Sequence, residues 1–193
     1  MEKSTVSQNK AYEGGGLYIV SGTTEISDTN ITENNSTYRG GGIYFANGTG
    51  SIKNSILSNN TASIQGGASY INGGTLNITD SIINENIASM GGGALFINSG
   101  DVTLNNTSFD KNSVTSGSLG GAINNAGVLK IENNSIFTNN TIQSGTGGAI
   151  SNSGTLTIDN ALFDSNSAGN DGGAISNSGS LIVSNSTFTG LMQ

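Results

Sequence analysis

The chain holds 193 residues with 30 Gly and no Pro, Cys, His or Trp, and 13 acidic against 6 basic side chains give a net charge of −7. Without Cys and His there is no disulfide framework, no zinc site of the usual kind and no Ser-His-Asp triad. The acidic balance argues against a nucleic-acid binder, which grips phosphates with clustered Lys and Arg, and no apolar run approaches the ~18–20 residues of a membrane-spanning helix.

The 28 Asn, 28 Ser and 20 Thr would suit a disordered linker, but such a segment has no reason to keep its apolar residues in columns. Here a Gly-Gly pair recurs at Gly15-Gly16, Gly41-Gly42, Gly66-Gly67, Gly92-Gly93, Gly120-Gly121, Gly147-Gly148 and Gly172-Gly173. A second glycine follows each pair, at Gly22, Gly48, Gly74, Gly100, Gly127, Gly154 and Gly179, with spacings of 25 to 27. A near-constant period of this size marks a stacked solenoid.

Within each repeat the first predicted strand follows Gly-Gly and carries, four residues before the second glycine, Tyr18, Tyr44, Tyr70, Phe96, Ile123, Ile150 and Ile175. The next strand follows that glycine. It alternates Leu76-x-Ile78 or Leu156-x-Ile158, the period-two pattern of a half-buried strand. A third strand carries Ile31, Leu57, Ile83, Phe109, Ile136, Phe163 and Phe188. Polar columns separate them. Asp28, Asn54, Asp80, Asn106, Asn133, Asn160 and Asn185 form one, and Asn34, Asn60, Asn86, Asn112, Asn139 and Asn166 a second, which Leu191 breaks. Asn and Asp tolerate left-handed backbone, so both columns read as corners, with the stacked amides of the second forming ladders.

Together these features predict an all-β, right-handed parallel β-helix, a pectin-lyase-like solenoid of about seven coils of 25–27 residues with three strands per coil. Both ends fall in mid-coil, so a segment of a longer array is expected, with signal and anchor outside these residues. A leucine-rich repeat is the rival, but its helical half has no counterpart here.

Gly-Gly-Ala-Ile at Gly120–Ile123, Gly147–Ile150 and Gly172–Ile175 is paired with F-x-x-N at Phe109–Asn112 and Phe163–Asn166. This pairing resembles the repeats of chlamydial polymorphic outer membrane proteins. The run from Gly147 to Asn160 is similar also to adhesin-like surface proteins of methanogenic archaea. Both resemblances imply β-helix stalks displayed outside the cell.

Chemistry is sparse. Glu33 and Glu85 share a column, Asp159 and Asp164 share a coil, and Arg39 is the sole arginine. All read as solvated corner residues rather than a glycosidase or lyase centre. No metal or cofactor is called for. The turn from the Asn column to Gly-Gly lengthens only around Thr115–Leu119 and Gln143–Thr146.

The column four before the glycine stays apolar in all seven coils and is expected to face inward. Its neighbours Ile19, Phe45, Ile71 and Ile97, with Leu17, Ile43 and Leu95, would then form an exposed apolar binding stripe. The expected function is that of a non-enzymatic, extracellular or cell-surface, adhesin-like rod. It would present this face to a protein or glycan of a host or neighbouring cell, with self-association as a further use, and without nucleic-acid contact or membrane insertion. A carbohydrate-active β-helix enzyme is the alternative, and a passive stalk the third reading.

Overall fold

The computed structural model describes residues 1–190 and is all strand and turn, with every strand pairing parallel to its copy in the next coil. Leu191, the residue that breaks the Asn column, lies outside the described residues. Coil four shows the plan. Leu95–Ile97 belongs to sheet a, Asp101–Asn105 to sheet b, Ser108–Asp110 to sheet c and Ser113–Val114 to sheet d. Sheets a, b and d hold seven strands and sheet c eight. The three expected strands per coil are those of sheets a, b and c. Sheet d is added by the short segments after the Asn corner, two residues long from Thr61–Ala62 onward. The result is a parallel β-helix of about seven coils.

Three of the four corners carry a left-handed residue in every coil, whereas the sheet a to sheet b turn does so only at Gly22, Gly48, Gly74 and Gly100. At the sheet c to sheet d corner the left-handed residue is the one before the expected Asn, such as Glu33 before Asn34 or Lys111 before Asn112. Asp28, Asn54, Asp80, Asn106, Asn133, Asn160 and Asn185 turn sheet b into sheet c, all with φ between 47° and 55°. Asn and Asp reach this region at lower cost than other side chains because their short polar groups bond locally. From sheet d back to sheet a the turn is glycine: Gly66 has φ of 69°, and a Cβ there would run into the Ser69 carbonyl. The left-handed glycine of the first two coils is Gly14 and Gly40, so each turn begins one residue earlier than the pairs at Gly15-Gly16 and Gly41-Gly42 suggest.

The core runs along the axis. Sheet b contributes Ile52, Ile78, Leu104, Ile131 and Ile158, and sheet c contributes Leu57, Ile83, Phe109, Phe137 and Phe163, all buried. Each such side chain removed from water is worth roughly 1.5–3 kcal/mol, and stacking repeats that gain once per coil. Phe109, Phe137 and Phe163 stack with ring centroids 4.7 Å apart, offset by one coil rise.

A buried amide ladder seals the corner between sheets c and d. Asn34 donates from Nδ2 to Asn60 Oδ1, Asn60 to Asn86 and Asn86 to Asn112, each at 3.0 Å. Every rung also reaches back to a backbone carbonyl, as Asn86 does to Leu57 O at 2.9 Å. The ladder then continues through Asn140 to Asn166.

Two columns read from the sequence need correction in coil five. Phe137, not Ile136, faces the core, and Asn140, not Asn139, joins the amide ladder. The cause is one extra corner residue: Asn133 and Asn134 both have positive φ, where other coils use a single residue. Counting from the second glycine therefore falls one residue short beyond this corner. Ile136 turns outward and Asn139 becomes the left-handed residue before the ladder.

Candidate functional site

The stripe expected on the surface is core. Ile43, Phe45, Ile71, Leu95 and Ile97 are buried in the axial cluster, and Leu17 and Ile19 in the first coil pack against it. Tyr18, Tyr44, Tyr70 and Phe96, expected inside, project to the outer side of sheet a. The register explains the inversion. Leu95 pairs with Ile123 and Phe96 with Asn124, so Ile123 and Ile150 are counterparts of Leu95, not of Phe96. From coil five the turn between sheets a and b is one residue shorter. Aligning on the second glycine merges outward tyrosines with inward isoleucines into one column that is apolar throughout. The shorter turn is held by Asn125, whose Oδ1 accepts from Gly127 N at 3.2 Å and whose Nδ2 donates to Asn152 Oδ1 at 2.7 Å.

On the outer side the aromatic column forms a second, smaller cluster. Tyr18 and Tyr44 stack at 4.8 Å, Tyr44 and Tyr70 at 5.2 Å, and Tyr70 and Phe96 at 5.4 Å. Tyr12 and Tyr38, at the ends of the sheet d strands Lys10–Glu13 and Asn35–Arg39, stack beside them at 5.0 Å. Sheets a and d meet at the glycine turn, and its bend brings the two aromatic rows into one outer corner. Tyr44 is 7% and Tyr70 2% exposed although both point away from the axis.

Arg39 lies in this corner. Its Cζ is 4.5 Å from the Tyr38 ring centre and 4.8 Å from that of Tyr70, and Nε donates to Gln65 Oε1 at 3.1 Å. A guanidinium over an aromatic face is held by the ring quadrupole, so two rings and an amide fix its plane. Burial raises the Tyr44 hydroxyl above the ordinary tyrosine range, with a further rise from the Glu13 charge, while Arg39 opposes both. For Tyr70 burial again dominates and Arg39 is the main opposing influence.

Beyond Gln65 the same column continues with Gly91 and Leu119, paired in register by single bridges. An open groove of about 310 Å³ lies there, lined by Gln65, Met90, Ser116, Ser118, Leu119 and Ser144. Its far wall is the pair of lengthened turns, Thr115–Leu119 and Gln143–Thr146. The lengthened turns and Arg39, expected from the sequence to be separate surface features, stand at opposite ends of this one column. The signal was available: Tyr12 and Tyr38 stand one period apart, and Tyr38 directly precedes Arg39.

Other outer features are more diffuse. Ile56, Ile82 and Ile136 stand exposed along sheet c, and a groove of about 330 Å³ runs beside Ile136 and Leu162. Of the carboxylates weighed above, Glu33 and Glu85 are exposed on separate coils, and Glu33 Oε2 accepts from Gln8 Nε2 at 2.8 Å. Asp159 accepts from Ser184 and Asn185, and Asp164 from Thr189, so each is engaged by the following coil. Both hydrogen bonds to Asp159, from Ser184 first, hold that carboxyl below its ordinary pKa.

A family model, the Chlamydia polymorphic membrane protein repeat, matches residues 160–178. Comparison with curated proteins and with solved structures finds no match. The matched segment of 19 residues covers most of one coil and leaves out its sheet b strand. It opens at the Asn160 corner, buries Phe163, ends the amide ladder at Asn166, turns at Gly172 and enters sheet a at Ile175. The short motifs of the family thus coincide with the residues that shape a coil. Residues 160–178 thus match a repeat of the Chlamydia polymorphic membrane protein type, set within a parallel β-helix whose other coils follow the same plan.

Proposed function

We propose that this chain is a non-enzymatic, adhesin-like β-helix that displays a stiff binding face at the cell surface. The observation that carries the reading is the unbroken in-register stack: parallel pairing runs through every coil and sets the outer side chains in rows. Such a rod holds weak contacts at fixed spacing, and affinity then comes from engaging several at once. The matched family is described as a membrane protein of Chlamydia, which supports a surface location. The partner is a protein or a glycan of an opposing surface.

Adhesion of the purified chain to intact cells, scored with beads carrying one copy and beads carrying many, tests this reading. The expected result is weak binding by single copies and firm retention of multivalent beads. Clear cleavage of acidic or neutral polysaccharides, with or without calcium, would overturn it in favour of a carbohydrate-active enzyme.

A further inference from the structure

The outer corner beside Arg39 has the features of a ligand site that the rod-like fold does not itself require. Arg39 makes no ion pair among the described residues, and only its Nε has a hydrogen-bond acceptor. The remaining guanidinium N–H groups are held in plane between Tyr38 and Tyr70 with nothing to accept from them. The Tyr44 and Tyr70 hydroxyls likewise make no hydrogen bond among the described residues; their rings are buried, but the hydroxyl tips reach the surface of the corner. A guanidinium held rigid with open N–H groups, beside hydroxyls at the surface, presents pre-set donors to a ligand at the mouth of the corner. The groove past Gln65 continues the same column, offering serine hydroxyls beside the apolar surfaces of Met90 and Leu119.

We propose that this corner and groove bind a short acidic oligosaccharide, its carboxylate forked on Arg39 and its sugar ring hydroxyls on Tyr70, Gln65 and the groove serines. The proposal rests on the binding-rod reading above and names its ligand class. A planar guanidinium matches a carboxylate in two parallel hydrogen bonds, and an arginine fixed in advance loses little freedom on binding. Sugars present hydroxyls on their rims and C–H faces above and below, and the groove supplies both kinds of partner. Three coil steps separate Arg39 from Leu119, roughly 14 Å at the ~4.8 Å spacing of paired strands, which accommodates a few linked rings. Glu13 faces the corner from the preceding coil. Its charge directs an anionic ligand toward the Gln65 side, where the groove lies.

Titration calorimetry with the whole described chain tests this. The probes are trigalacturonate and sialyllactose, set against methyl-esterified trigalacturonate, lactose and triglutamate. At least one acidic sugar should bind and its neutral counterpart should not. Arg39→Gln should weaken binding by at least about tenfold, the range for a lost charge-assisted hydrogen bond. Tyr70→Phe, which keeps the aromatic stack, should weaken it severalfold with the melting temperature unchanged, and it decides the matter if Arg39→Gln proves unstable. Absence of binding to both acidic sugars overturns the proposal, as does undiminished binding in Tyr70→Phe or equal affinity for triglutamate. A chain that adheres to cells yet ignores both sugars overturns this site alone and leaves the rod reading standing.

Discussion

Asn112 donates from Nδ2 to Asn140 Oδ1 at 3.0 Å across 28 residues, where every other step of the buried amide ladder spans 25 or 26. The intervening coil gains two residues in the turn before Gly120 and one at Asn133-Asn134, and loses one between sheets a and b. The ladder and the core rows still meet in register. Length changes are absorbed at the corners because a rung that slipped would strand the ladder's amides and turn its strand inside out.

Asn112 accepts from Asn86 N and Nδ2 and donates to Asn140 Oδ1 and Ile83 O, so four buried bonds meet on one side chain. Asn112→Ala should cost about 3–5 kcal/mol, since each buried partner left unpaired adds its own desolvation penalty. Denaturant titration followed by circular dichroism measures this. A loss below about 1 kcal/mol would mean that water enters and replaces the ladder.

Phe45 and Ile71 lie in the axial core, so Phe45→Ser and Ile71→Ser should each destabilise by at least about 3 kcal/mol through lost burial and an unpartnered hydroxyl. Thermal melting of the single variants checks it. Variants that melt with the parent would return these residues to the surface.

Ser69 occupies the inward column between Ile43 and Leu95, and its hydroxyl has no partner. Ser69→Val should therefore stabilise the chain by about 1 kcal/mol, because it removes an orphaned polar group and adds apolar contact. A lower melting temperature would show that the site cannot accept the extra methyl.

Gly66→Ala should lower stability by roughly 1–3 kcal/mol, since left-handed backbone carries strain for a side chain and the new Cβ meets the Ser69 carbonyl. Hydrogen exchange of the neighbouring sheet a amides should speed up locally. Unchanged protection there would argue that the turn simply rearranges.

Burial works to raise the Asp110 pKa, but hydrogen bonds from Asn139 and Thr138 and the Lys111 charge outweigh it and hold the carboxyl below its ordinary value. A carboxylate depressed by folding contributes stability that is present above its unfolded pKa of about 3.9 and lost as pH falls through the folded value. Stability should decline in that acid window, and Asp110→Asn should shallow the decline. Nuclear magnetic resonance titration locating the Asp110 midpoint at or above the ordinary range would contradict this.

The period, the strand character of each segment and the main corners were determined by local chemistry: left-handed Asn or Asp between sheets b and c, left-handed Gly between sheets d and a, and alternating apolar residues between them. Those requirements repeat in every coil, so they show in one chain without reference to its fold. The facing of sheet a was decided only in three dimensions. Leu95, Phe96 and Ile97 are all apolar, so alternation could not tell the core side from the outside. The choice was made by a turn one residue shorter in later coils and by the outer corner where sheets a and d meet, which gives Tyr44, Tyr70 and Phe96 a second apolar shelter. The placing of Arg39 beside Tyr70, 31 residues away, likewise depended on stacking, because contact between neighbouring coils is a property of the assembled register and not of any segment within it.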